Sequence, residues 1–121
     1  MKHCLVVDDS KVIRKVARHL LESMNFEVSE AENGREAVEL CVERMPDAVL
    51  LDWQMPVMSG LEFLGALRLA IKGERPHIIY CTTENDPAEI SRAFIGGADD
   101  YLLKPFDRET LTAKLAAAQL I

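Results

Sequence analysis

The stretch Ala48-Val49-Leu50-Leu51-Asp52 decides the fold of this chain, because an unbroken apolar run ends on a carboxylate. A strand with one solvated face would alternate apolar and polar residues, whereas a central strand of a parallel sheet has helices on both faces and is apolar throughout. The run Ile78–Cys81 has the same character and ends on Thr82. Both segments are therefore predicted to be central strands of a parallel sheet.

Helical patterns alternate with short apolar runs along the whole chain. After the run His3–Val7, apolar residues recur at helical spacing and form one amphipathic stripe. The stripe contains Ile13, Val16, Ala17, Leu20, Leu21 and Met24. Asn25 is predicted to end this helix, because Asn tolerates the left-handed conformation. Strands and helices that alternate through short connections predict a doubly wound α/β fold with helices on both faces of the sheet.

Capping residues mark where three later helices begin. In each case a side-chain acceptor at the N-cap is followed at N3 by a carboxylate, so that both groups can bind orphan backbone N–H groups. The pairs are Asn33 and Glu36, Ser59 and Glu62, and Asp86 and Glu89. Asp107 is expected to cap a last helix that continues to the end of the chain. Residues 1–121 are therefore predicted to form one domain without an output domain.

Composition places the chain among ordinary globular domains, with 121 residues, 49% hydrophobic and 28% charged. The net charge of −6 argues against a nucleic-acid partner, since DNA-binding domains usually carry a basic face. The apolar stretches are too short to span a membrane and no signal peptide is visible, so we expect a cytoplasmic protein. Cys4, Cys41 and Cys81 lie in apolar segments and are expected to be buried reduced thiols.

Four of the predicted strands end on residues that can carry chemistry. These residues are Asp8 and Asp9 after the first run, Asp52, Thr82, and Lys104 after the run Tyr101–Leu103. Ligands of doubly wound sheets bind outside the carboxyl ends of the strands, near the switch in strand order. Three carboxylates, a hydroxyl and an ammonium group are therefore predicted to meet at one edge of the sheet.

An oxygen-rich cluster of this kind suits a hard divalent cation such as Mg²⁺ or Mn²⁺. An ionised Asp beside the cation and a Lys is a competent nucleophile toward phosphorus, so the chemistry points to an aspartyl phosphate. Taken singly, each residue has another interpretation. Asp8 and Asp9 could cap the first helix, Asp52 could lie in a loop, and Lys104 could be a surface lysine.

Five segments resemble, in order, the receiver domain of bacterial two-component response regulators, most closely the stand-alone chemotaxis-type receivers. They cover essentially the whole chain: Val6–Ser10, Asp52–Gly60, Thr82–Glu84, Gly97–Tyr101 and Lys104–Phe106. The resemblance implies a flavodoxin-like fold, with a five-stranded parallel sheet in the order 2-1-3-4-5 and five helices.

The resemblance also implies a role for each residue of the acidic cluster. Asp52 would be the phosphoacceptor, and Lys104 would pair with the acyl phosphate. Asp9 would bind Mg²⁺ directly, with Asp8 assisting through the metal or its waters. Asp52 itself and the backbone carbonyl of Gln54 would complete the protein ligands.

Further implied roles concern the switch and the lifetime of the phosphorylated state. Thr82 would be the switch hydroxyl, and Tyr101 would be the switch aromatic that turns inward as Thr82 moves. These movements would change the surface of the fourth helix, fifth strand and fifth helix. The Lys104–Pro105 bond is expected to be cis. Departing from the family's usual small residue, Thr83 would narrow access to the phosphoryl group. We also hypothesise that Gln54 and Glu84 set the lifetime of the phosphorylated state.

The predicted function is a phosphorylation-dependent switch that receives a phosphoryl group from a sensor histidine kinase or histidine phosphotransfer protein. It would act on a partner protein, or serve as a phosphate shuttle or sink, and would catalyse only its own phosphotransfer and autodephosphorylation. We expect a monomer, with dimerisation on phosphorylation as the alternative. A haloacid-dehalogenase-type enzyme would need Asp in place of Gln54. A nucleotide-binding module would need a glycine-rich loop in place of residues 8–11.

Overall fold

The computed structural model describes residues 1–53, 55, 57–71, 73, 75–83 and 85–121. Within these residues five strands alternate with five helices. The strands are β1 (His3–Val7), β2 (Glu27–Ala31), β3 (Ala48–Asp52), β4 (His77–Thr82) and β5 (Asp100–Leu103). The helices are α1 (Lys11–Ser23), α2 (Gly34–Glu43), α3 (Gly60–Ala70), α4 (Pro87–Gly96) and α5 (Arg108–Ala117).

The strands form one parallel sheet in the order β2-β1-β3-β4-β5, which confirms the predicted topology. The register brings the carboxyl ends of the central strands level with one another. Val7 of β1 pairs with Leu51 of β3, and Asp52 pairs with Cys81 of β4. The residues that follow β1 and end β3 and β4 therefore share one edge of the sheet, as the sequence predicts.

Helices cover both faces of the sheet, as expected of a doubly wound fold. One face packs against α2, α3 and α4 and includes the fully buried Phe63 and Tyr80. The other face packs against α1 and α5 through Leu21, Leu111 and Leu115. Each fully buried aliphatic side chain of this kind contributes roughly 1.5–3 kcal/mol through the hydrophobic effect. In the part of the chain that is described, no helix combines the length and apolar character needed to cross a bilayer.

The helix starts follow the predicted caps, with one difference in detail. The Asn33 side chain accepts a hydrogen bond from the backbone of α2, and Ser59 forms a complete capping box with Glu62. Asp86 also caps α4, but its carboxylate accepts from the backbone N–H of Ala88 at 3.0 Å rather than from the N3 residue. The cap is thus present with its bond shifted by one residue, to another of the orphan N–H groups.

Two expectations about helix faces and ends are wrong, while the predicted helix stop is confirmed. Val16 was expected in the buried stripe of α1 but is 48% exposed, because it lies at the edge of a stripe centred on Ala17. The last helix ends at Ala117 rather than continuing to the terminus, because Leu120 folds back and packs against the α1 and α5 face. Asn25 does end α1, with φ of 68° in the left-handed region.

All three cysteines are free and buried, as predicted. Burial raises the pKa of the Cys41 thiol to about 11 and, together with nearby carboxylates, that of Cys81 to about 12. These thiols are therefore protonated at neutral pH and serve as small apolar packing groups.

Candidate functional site

Lys104 lies between two carboxylates at the carboxyl edge of the sheet. Its Nζ donates hydrogen bonds to Asp8 Oδ2 at 2.7 Å and to Asp52 Oδ1 at 2.9 Å. The exposed fractions of these side chains are 10% for Lys104, 5% for Asp8 and 11% for Asp52. The Lys104 backbone N–H donates to the Thr82 carbonyl at 2.8 Å, so the pairing of β4 with β5 carries the ammonium group to this edge. The bond between Lys104 and Pro105 is cis, as expected.

Three carboxylates converge beside this ammonium group. Asp8, Asp9 and Asp52 each offer one oxygen, and these oxygens lie within 4.8 Å of one another. Asp8 and Asp52 are buried, whereas Asp9 is exposed at the mouth of the cluster. The carboxylates outnumber the ammonium group, and hard oxygen donors are the ligands that Mg²⁺ prefers, so the cluster fits a hard divalent cation. The expected ligand on Gln54 lies outside the described residues.

Hydrogen bonds fix the main chain and side chain of Asp8. Its backbone N–H donates to the Ala31 carbonyl of β2 at 3.1 Å, and its Oδ1 accepts from the Ser10 N–H at 2.9 Å. Ser10 itself is the N-cap of α1 and accepts from Ile13 N–H at 3.3 Å. This arrangement rules out Asp8 and Asp9 as the helix cap, which was the other interpretation of these residues.

A guanidinium group that the sequence interpretation did not single out also contacts the acidic segment. Arg14 Nη1 donates to the backbone carbonyl of Asp8 at 2.7 Å, and its Nε donates to Glu30 Oε1 of β2 at 3.1 Å. One feature of the sequence indicates such a contact, because Arg14 is a charged residue at helical spacing from Ala17 and Leu21, the buried residues of α1. A charge at such a position predicts a specific partner, although the sequence does not say which one.

The electrostatics of the cluster favour the binding of protons or cations. Burial raises the pKa of Asp52; Lys104 opposes this shift, and the neighbouring charges of Asp8 and Asp9 add to it. Burial alone would lower the pKa of Lys104, but hydrogen bonds to Asp8 and Asp52 outweigh it and raise the pKa. The two causes differ, because burial disfavours the charged form of Asp52, whereas two carboxylate partners stabilise the charged form of Lys104.

The segment after β3 packs closely under the cluster. Trp53 is only 9% exposed and meets the Tyr80 ring edge-on, with centroids 4.6 Å apart. A Cβ on Gly60 would lie 2.6 Å from Trp53 Cε3 and 3.2 Å from the Asp52 carbonyl oxygen. A glycine at the start of α3 is therefore required for the helix to begin this close to Asp52. Val57 in the same segment has φ of 72°, which is unfavourable for a β-branched residue.

The residues expected to form the switch lie along β4 and β5. Thr82 is buried at the carboxyl end of β4, while Thr83 is exposed and Glu84 lies outside the described residues. Tyr101 is half-buried in β5, with its ring 6.4 Å from Phe94 and the Lys114 Nζ 4.7 Å from the ring centroid. Tyr101 is thus held between α4 and α5 in this conformation.

Comparison with known proteins agrees with this geometry. Residues 4–116 match the response regulator receiver domain, and the chain belongs to that family. Receiver domains are signalling switches of two-component systems. They accept phosphate from histidine kinases and are not classical enzymes.

Similar proteins include both stand-alone receivers and longer regulators. The chain is 40% identical to the chemotaxis protein CheY of Halobacterium salinarum over 91% of this chain and 90% of CheY. It is 38% identical to the transcriptional regulator PhoB of Rhizobium meliloti over 93% of this chain, but it spans only about half (49%) of that relative.

Solved structures show the same fold. The chemotaxis protein CheY4 of Vibrio cholerae superposes with a TM-score of 0.90 at 37% identity, over 97% of this chain and 98% of CheY4. The receiver domain of the sensor histidine kinase PA1611 from Pseudomonas aeruginosa has a TM-score of 0.86 at 29% identity, over 96% and 95% of the two chains. A magnesium ion is coordinated in the active site cleft of that receiver.

Proposed function

We propose that this receiver accepts a phosphoryl group on Asp52 and that the resulting aspartyl phosphate changes the surface seen by a partner protein. One observation carries the proposal. The Asp52 carboxylate sits at the carboxyl end of a central strand, 2.9 Å from the Lys104 ammonium and within 4.8 Å of the oxygens of Asp8 and Asp9. Such a site offers a nucleophile, a fixed cation and the ligands for a second cation in one place.

In the proposed reaction a carboxylate oxygen of Asp52 forms a bond to phosphorus as the P–N bond of a phosphohistidine donor breaks. The imidazole leaves and takes up a proton from solvent. Lys104 stabilises the charge on the transferring oxygens, because its ammonium already lies beside Asp52 and is nearly shielded from water. Thr82 would bind a phosphoryl oxygen through its hydroxyl.

The site requires a divalent cation in this proposal, with Mg²⁺ or Mn²⁺ as the candidates. Asp9 and Asp52 would hold it and Asp8 would assist, with the backbone carbonyl of Gln54 as the ligand expected from the resemblance. When bound, the cation supplies positive charge that offsets the charge of the phosphoryl oxygens. Magnesium in the related PA1611 receiver and the acidic cluster of this chain support the assignment.

The proposed donor is a sensor histidine kinase or a phosphotransfer protein. The proposed output surface consists of α4, β5 and α5, where Ile95 is 81% exposed, Phe94 41% and Leu103 39%. Tyr101 links this surface to the site because β5 continues directly into Lys104. Thr82 and Lys104 would bind the phosphoryl group in one arrangement, which gives the active conformer differential stability. Action as a phosphate shuttle or sink, a monomeric state and a cytoplasmic location stay predictions of the sequence.

The decisive experiment is phosphorylation by acetyl phosphate with Mg²⁺, followed by intact-mass measurement and peptide mapping. We expect one phosphoryl group on Asp52 and none on Asp52→Asn. Glu39→Gln is the matched control, because it also removes one carboxylate, from an exposed position on α2 away from the cluster. Label on Asp52→Asn at the level of the wild type would overturn the assignment of the acceptor.

The lifetime of the aspartyl phosphate is proposed to depend on Gln54, Thr83 and Glu84. Thr83 is exposed next to the buried Thr82, and the other two lie outside the described residues. Dephosphorylation rates of Gln54→Ala, Thr83→Ala and Glu84→Ala should differ from the wild-type rate. Equal rates in all three variants would contradict this part of the proposal.

A further inference from the structure

Arg14 forms a hydrogen bond to the backbone between Asp8 and Asp9 and connects it to neighbouring elements of the fold. Its Nη1 donates to the Asp8 carbonyl at 2.7 Å. Its Nε donates to Glu30 at 3.1 Å, so one guanidinium joins α1, β2 and the segment after β1. The Arg14 side chain is 13% exposed, and a largely buried guanidinium with two acceptors is well fixed in place.

The carbonyl of Asp8 belongs to the same planar peptide group as the backbone N–H of Asp9. A hydrogen bond that fixes this carbonyl therefore fixes the plane from which the Asp9 Cα and its side chain start. The other end of Asp8 is already held by its N–H bond to Ala31. Asp9 is the exposed member of the cluster, so its direction depends on the main chain more than on packing around its side chain.

We infer that Arg14 is a positioning residue that holds Asp9 in the direction needed to bind a divalent cation together with Asp52. This inference rests on the proposed function, because it concerns the cation of that same site. A group that orients a metal ligand typically changes metal affinity by about 10–100-fold when it is lost.

The chain provides a matched control one helical turn away. Arg18 also binds Glu30, with its Nε 2.6 Å from Glu30 Oε2, but its other acceptor is Glu22 on the helix surface at 3.1 Å. Arg14→Gln and Arg18→Gln therefore remove the same charge and the same kind of bond to Glu30. They differ in the hydrogen bond to the Asp8 carbonyl.

Positioning and plain electrostatics predict opposite results. Removal of a positive charge near the cluster would strengthen the binding of a cation if charge alone mattered. If the hydrogen bond to the Asp8 carbonyl matters more, then Arg14→Gln weakens binding. Arg14→Lys keeps the charge but loses the forked geometry that reaches two acceptors, so it should fall between the wild type and Arg14→Gln.

The test is a titration of each full-length variant with Mn²⁺ followed by electron paramagnetic resonance, and with Mg²⁺ followed by Trp53 fluorescence. We expect the affinity of Arg14→Gln to fall about tenfold or more, and that of Arg18→Gln to stay within about twofold of the wild type. With acetyl phosphate, Arg14→Gln should need more Mg²⁺ for half-maximal labelling but should reach a rate near that of the wild type at saturation. General destabilisation would lower the melting temperature without this separation.

The outcomes distinguish this inference from the proposed function. Equal affinities of Arg14→Gln and Arg18→Gln, or tighter binding by Arg14→Gln, would overturn the positioning role and leave Asp52 as the acceptor. A wild-type protein that binds neither cation, or is not labelled on Asp52, would instead refute the proposed function itself.

Discussion

Replacement of Asp9 by Asn should stabilise the protein in the absence of divalent cations and should remove the stabilisation that such cations give. The oxygens of Asp8 and Asp52 lie within 4.8 Å of an Asp9 carboxylate oxygen. The Lys104 ammonium forms ion pairs with both Asp8 and Asp52. At that distance each pair of unit charges is worth about 0.9 kcal/mol in water. The two repulsive pairs together cost about 1.7 kcal/mol. The Lys104 ammonium beside Asp8 and Asp52 offsets part of this cost, so Asp9→Asn should relieve about 1 kcal/mol.

Cation binding reverses the order of stability. A ligand present at ten times its Kd stabilises the folded state by about 1.4 kcal/mol. The wild type should gain this amount from Mg²⁺, whereas Asp9→Asn should gain little, so the two stabilities cross as Mg²⁺ is added. Urea unfolding in EDTA and then in Mg²⁺ measures both effects, with Glu39→Gln as the control for the loss of one exposed carboxylate. The advantage of Asp9→Asn in EDTA should shrink in high NaCl, because exposed charges are screened.

Two results would refute this reasoning. Asp9→Asn could be less stable than the wild type in EDTA, which would mean that the Asp9 carboxylate stabilises the fold through a contact. Alternatively, Mg²⁺ could stabilise both proteins equally, which would place the cation away from Asp9.

Three further predictions concern the segment around Asp52 and the far end of the sheet. Val57→Gly should raise the urea midpoint, because Val57 is 64% exposed and glycine adopts its positive φ without strain, for a gain of about 1 kcal/mol. Gly60→Ala should lower the free energy of unfolding by about 1–3 kcal/mol and change Trp53 fluorescence, since the added methyl overlaps the indole. Burial, and then the charge of Arg44, lower the pKa of His3 below 6.5 in the folded protein. The unfolded chain therefore binds more protons than the folded protein, so the free energy of unfolding falls as the pH drops below about 6.5. Urea titrations from pH 7.5 to about 5 should show less of this loss in His3→Gln, and equal slopes would contradict it.

The elements that the sequence predicts well are those in which one physical cause dominates. The apolar runs of β3 and β4 have no other stable location than a sheet covered on both faces, and their terminal residues inherit a common edge from the parallel register. Asp8, Asp52 and Lys104 meet for that reason. The three-dimensional arrangement adds the distances and the burial, which decide how strongly these charges interact.

The sequence could not predict two kinds of contact, which are hydrogen bonds to backbone atoms and packing that depends on the path of the chain. The Arg14 bond to the Asp8 carbonyl leaves no side-chain pattern, because every residue of the segment has a carbonyl group. The end of α5 at Ala117 depends on how Leu120 packs against the core between the sheet, α1 and α5, and a single helical pattern cannot contain that information. The packing of Trp53 over Gly60 likewise requires the path of the chain between β3 and α3.

The position of Lys104 indicates how the proposed phosphorylation of Asp52 would affect the proposed output surface of α4, β5 and α5. The Lys104 ammonium donates hydrogen bonds to both Asp8 and Asp52, and the Lys104 backbone N–H donates to the Thr82 carbonyl. A stronger attraction of the ammonium to Asp52 would therefore act on the carboxyl ends of both β4 and β5. A phosphoryl group adds negative charge and acceptor oxygens at Asp52 and would therefore compete with Asp8 for this ammonium. Two contacts of the Tyr101 ring oppose that change. The contact with Lys114 is worth about 0.5–1 kcal/mol at exposed sites, and the edge-on contact with Phe94 about 0.5–1.5 kcal/mol. A charge-assisted hydrogen bond is worth about 1.5–3 kcal/mol, so one new bond at Asp52 is comparable in free energy with the two contacts that hold Tyr101.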